Sequence, residues 1–104
     1  MLFRSVDTIT DFEADVGDKI ELSKAAFALL TTASGSTLGA GEFASSNGGG
    51  AGDTVGAGVH VIYDSATGNL YYDSDGGSSL NRTLIATFTN LTGTFDNNDV
   101  TVGP

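Results

Sequence analysis

The chain has no cysteine and no tryptophan, one proline, one histidine and only four basic residues among 104. Without cysteine there is no disulfide staple, in a domain small enough for a staple to matter. That absence fits the cytoplasm and fits equally a secreted bacterial protein that uses another device. A single histidine and no cysteine leave no donor set for zinc. Nucleophilic schemes reduce to a Ser-His-Asp arrangement around His60, which lies between Val59 and Val61 and reads as a sheet histidine. No enzyme activity is therefore expected of the chain itself. Thirteen acids against the four bases give a net charge of −9, which repels nucleic acid and anionic lipid. The apolar runs are a few residues long, so no membrane insertion is expected. MLFRSVDT lacks the apolar core of a signal peptide, and any export address is expected elsewhere.

What is present is glycine, fifteen residues of it, with abundant Thr, Ser, Asn and Asp. Such a chain makes tight turns and few long helices. The stretch DTITDFEADVGD places five carboxylates, Asp7, Asp11, Glu13, Asp15 and Asp18, around Ile9, Phe12 and Val16. Arg4 and Lys19 are the nearest cations, too few to neutralise them. Solvent or an added ion must do so.

VDTITDF alternates as a strand, with Asp7, Ile9 and Asp11 on one face, and GDKIEL follows as a second strand. Ser23 then reads as the N-cap of a two-turn helix, KAAFALL, with Phe27 and Leu30 facing the core. Residues 31–58 are rich in Gly and Ser and read as a surface loop, interrupted by a brief strand at Glu42–Ala44. Within it, GGGAGDT lacks the lysine and the basic surroundings of a phosphate loop. VHVIYDSATGNLYYDSDGG reads as a hairpin in which Asp64 makes an Asx turn and Gly68 takes a positive φ. RTLIATF at 82–88 pairs beside it, and DVTV at 99–102 closes the sheet. The expected fold is all-β, one short-stranded domain over residues 1–104, β-roll-like or β-sandwich-like, with one short α-helix.

Calcium takes six to eight oxygens from carboxylates, carbonyls and water, gathered by tight turns. Two clusters offer them: Asp7, Asp11, Asp15 and Asp18 with Glu13, and Asp64, Asp73 and Asp75 with Asn69. YDSDGG opens like an EF-hand loop but has no glutamate at the twelfth position and no flanking helices. The alternative is that these acids cap turns and solvate a surface. Tyr63, Tyr71 and Tyr72 either form a sugar-stacking platform or pack across the hairpin.

DTITDF, then GDKIEL, then IYDSATGNLYYDSDG resembles the region that follows the glycine- and aspartate-rich repeats of RTX proteins, the hemolysin- and serralysin-like bacterial proteins exported by type I secretion. The resemblance covers roughly residues 5–76. It implies a parallel β-roll of Gly-Gly-x-Gly-x-Asp-x-apolar-x repeats lying before this segment, with calcium held between its turns, and a C-terminal domain that caps the roll. It also implies a secreted, extracellular bacterial parent, and as partners the adjacent repeats and the type I secretion machinery. By the same resemblance Asp7 completes the last calcium site, with Asp11, Asp18 and Asp15 as further ligands and Asp64, Asp73 and Asp75 as hairpin ligands.

Two features depart from the family. No full nonapeptide repeat occurs; in GGAGDTV at 49–55 the aspartate comes one place early. The sequence closes with DNNDVTVGP rather than an acidic residue and bulky apolar ones. The expectation is a non-catalytic, calcium-responsive cap of an RTX β-roll. A carbohydrate- or surface-binding β module, using Tyr71 or Tyr72, is the other reading.

Overall fold

The structure, a computed structural model, describes residues 7–14, 17–48, 56–74 and 82–104. Seven strands carry it: β1 (Asp7–Thr10), β2 (Ile20–Ser23), β3 (Phe43–Ser46), β4 (Val61–Asp64), β5 (Asn69–Asp73), β6 (Arg82–Thr89) and β7 (Val100–Gly103). They form a five-stranded mixed sheet in the order β1-β6-β5-β4-β3 and a two-stranded parallel sheet of β2 and β7. The fold is all-β, as the turn-rich composition requires.

The hairpin forms as its sequence dictates. Asp64 Oδ1 accepts from the Ala66 N–H at 2.9 Å, and the Gly68 N–H reaches back to the Asp64 carbonyl at 2.8 Å. Gly68 takes φ +79°, a conformation that costs glycine little. β4 and β5 then run antiparallel with Tyr63 opposite Leu70, and β6 adds beside β5 across a bulge at Leu70/Tyr71.

Period-two alternation fills the core. Val61 and Tyr63 of β4, Leu70 of β5 and Ala86 and Phe88 of β6 are buried from one side, and Ile20, Leu22, Val100 and Val102 of the small sheet from the other. Phe12 lies between the two sheets in sequence and packs on Phe88 and Phe95 at ring centroids of 5.1 and 5.5 Å. Each such pair adds about 1 kcal/mol beyond its buried area.

Three expectations change. No helix follows Ser23: that residue is the last of β2, and its hydroxyl donates to the Pro104 carbonyl at 2.6 Å instead of capping. The Lys24 N–H is taken by the Gly103 carbonyl at 2.9 Å, so strand pairing continues where a helix would start, and residues 24–30 become successive turns that still bury Phe27 and Leu30. DVTV does not extend the hairpin sheet; β7 pairs with β2, and on its other side Thr37 bridges Thr101. The glycine-rich segment also contributes to the core, because Leu38 is 1% exposed and β3 is an edge strand of the large sheet.

Candidate functional site

The acidic opening is the corner of a rung. β1 lies parallel to β6 with Asp7 opposite Ala86, Glu13 bridges Thr92 in parallel, and β2 lies parallel to β7 with Ile20 opposite Val100. Residues 7–23 therefore follow residues 86–103 side by side through both sheets, the later rung being one residue longer around its corner. β1 and β2 are the terminal strands of their sheets, and among the described residues nothing pairs with their outer edges. One continuous run of chain thus presents two short edges that have no pairing partner among the described residues.

Local chemistry shapes this corner. Asp18 Oδ2 accepts from the Glu13 N–H at 2.9 Å, and Gly17 turns the chain at φ +102°. Asp11 is exposed and held at φ +64°, a conformation few non-glycine residues adopt, though Asp tolerates it better than most. Lys19 does not turn back to these acids; its ammonium donates to the Asn98 carbonyl on the neighbouring rung.

The candidate ligands fall at several places in the fold. Asp7 opens β1, Asp11 follows its end, and Asp18 closes the corner; Asp15 and Asp75 lie outside the described residues, as does the GGAGDTV segment. Asp64 is buried, with Oδ1 accepting from the N–H groups of Gly48 and Ala66, which ties the end of β3 to the hairpin turn. Asp73 is buried against Arg82, whose Nε lies 3.0 Å from Oδ2. Among the described residues no group of three or more His, Cys, Asp and Glu side chains could hold a metal ion.

Sequence reading assigned no role to Glu42, an acid with several bonds. Glu42 is buried and accepts from the Thr31 N–H at 2.9 Å, the Thr32 N–H at 2.7 Å, the Thr32 hydroxyl at 2.6 Å and His60 Nδ1 at 2.9 Å. Burial opposes its ionisation and is the largest single influence, but the bonds from Thr32, Thr31 and His60 together outweigh it and hold the carboxyl at about 2. Only the tertiary fold brings Thr31, Thr32 and His60 to this residue, so no local signal marked it. His60 is a structural residue just ahead of β4, bonded on both sides: its N–H donates to the Glu42 carbonyl and its carbonyl accepts from the Asp73 N–H.

The tyrosines are engaged. Tyr72 packs edge-on against Phe27 at 4.9 Å and its hydroxyl accepts from the Leu29 N–H; the Tyr71 hydroxyl accepts from Asn69 Nδ2. Both are half-buried, and they do not offer a free stacking platform. No protein-family model, no curated protein and no solved structure matches this chain.

Proposed function

We propose that this domain is a non-catalytic cap for a parallel β-solenoid, of the kind that ends the calcium-binding repeats of RTX proteins. The observation that supports the reading is the parallel register of residues 7–23 on residues 86–103, with the outer edges of β1 and β2 unpaired among the described residues. A preceding parallel rung stacks on such an edge as the first rung stacks on the last. About four backbone hydrogen bonds per strand, at roughly 1 kcal/mol net each, would reward that docking. Exposed strand edges otherwise invite aggregation.

Calcium belongs, on this reading, to the junction and not to the isolated domain. Asp7 and the exposed Asp11 supply carboxylates at the open rung, and the incoming rung supplies the remaining oxygens; the ion would neutralise the acidic corner when bound. The parent protein is then secreted from a bacterium by a type I exporter. Residues 100–103 pair with β2, and residues 100–102 are bonded on their other side to residues 35–38, so an exporter that reads this region reads it before the domain folds.

The test is a chimera in which a block of Gly-Gly-x-Gly-x-Asp-x-apolar-x repeats is fused ahead of residue 1, compared with the same repeats alone. Circular dichroism is followed through a calcium series up to about 10 mM, beyond the range of extracellular sites. The fused repeats are expected to fold at several-fold lower calcium, and Asp11→Gly to reverse part of that gain. Identical calcium midpoints with and without the domain would rule the cap out.

A further inference from the structure

We infer that the domain carries a binding site for a neutral saccharide in the cavity between the β4–β5 turn and the loop at 90–95. The cavity, about 530 Å³, is lined by the aromatic residues Tyr63, Phe88 and Phe95 and by polar residues that include Ser45, Asn90 and Thr94. That volume lies in the range of small-molecule pockets and accommodates one or two sugar rings.

The Tyr63 hydroxyl carries the inference. Tyr63 is 7% exposed, with its ring packed on Phe88 and Phe95 at 6.0 and 5.0 Å. Its hydroxyl makes no hydrogen bond among the described residues, whereas the hydroxyls of Tyr71 and Tyr72 both do. No fully buried polar side-chain atom there lacks a partner, so this hydroxyl keeps some accessible surface, and Tyr63 is among the residues lining the cavity. A phenol held rigidly by its ring and left unbonded at a pocket is a preorganised hydrogen-bonding group.

The rest of the lining sets the ligand class. It contains no Asp, Glu, Lys, Arg or His, which disfavours phosphates, carboxylates and amines. Hydroxyls and an amide both donate and accept, matching a ring bearing many hydroxyls. The −9 net charge further disfavours anionic sugars. Asn90, exposed and among the lining residues, stands at φ +57°, a conformation that Asn adopts more readily than most residues. The site is independent of the cap reading, since it uses neither β1 nor β2.

The test is a ¹⁵N-detected titration of the whole chain with glucose, galactose, mannose, N-acetylglucosamine and their β-linked disaccharides at up to ~20 mM, enough to detect millimolar affinity, with galacturonic acid as the charged control. Saturable shifts at the amides of Gly68, Gly93 and Thr94 are expected for at least one neutral sugar. Tyr63→Phe should raise its Kd at least fivefold with an unchanged melting temperature, because it removes a hydroxyl without a protein partner. Asn90→Gly, which keeps the positive φ, should also weaken binding. No saturable shift with any neutral sugar, tighter binding of galacturonic acid, or equal affinity in Tyr63→Phe would each overturn the inference.

Discussion

Glu42→Gln should remove a large part of the domain's stability, and the loss should depend on pH. The wild-type carboxyl is held at about 2 against an ordinary 4.5, and at 1.36 kcal/mol per pH unit that difference is worth about 3 kcal/mol. The folded value is the lower one, so the contribution is complete above about pH 5 and is lost as the pH falls from there towards 2. Glutamine keeps one acceptor for Thr32 but turns an NH₂ towards the Thr31 N–H or His60, leaving donors facing each other. The assay is urea denaturation followed by far-ultraviolet circular dichroism, on both proteins, at steps from pH 7 to pH 3. Other carboxylates titrate over this range in both proteins, so the difference between the two isolates Glu42. We expect a gap of about 2–3 kcal/mol at pH 7, a large share of a small domain's stability, narrowing steadily below pH 4.5. A gap under about 0.5 kcal/mol at pH 7, or one that does not change with pH, would refute the account of this carboxylate.

Other outcomes follow from the same geometry. Arg82→Met leaves the fully buried Asp73 without its guanidinium and should cost about 3 kcal/mol, while the double change Arg82→Met with Asp73→Leu should recover part of it; equal urea midpoints for single and double variants would contradict this. Gly68→Ala places a Cβ 2.3 Å from the Phe88 carbonyl oxygen at φ +79° and should cost more than about 2 kcal/mol, whereas Gly17→Ala, at φ +102° with nothing within 4 Å, should cost only about 1; thermal melts of the pair separate backbone strain from steric overlap. The isolated domain should melt at the same temperature in EDTA and in calcium, and a calcium-specific rise abolished by Asp11→Gly would move the ion from the junction into the domain itself.

Much of this molecule is set by short-range pattern. Residues 59–73 specify their hairpin because Asp64 and Gly68 satisfy a turn whatever surrounds them, and alternation in RTLIATF then selects the neighbouring strand. Residues 24–30 have the composition of a helix and do not form one, because the competing partner for Lys24 is Gly103, far away in sequence, and a helix this short has too little local stability to resist. The pairing of β2 with β7, the rung made by 7–23 on 86–103, and the gathering of Thr31, Thr32 and His60 around Glu42 depend on contacts between segments tens of residues apart. Sequence by itself determined the all-β class, the hairpin and the density of negative charge; only the tertiary structure decided which carboxylates are bonded within the protein and which hydroxyl is left open, because those are properties of the groups the fold brings to each atom.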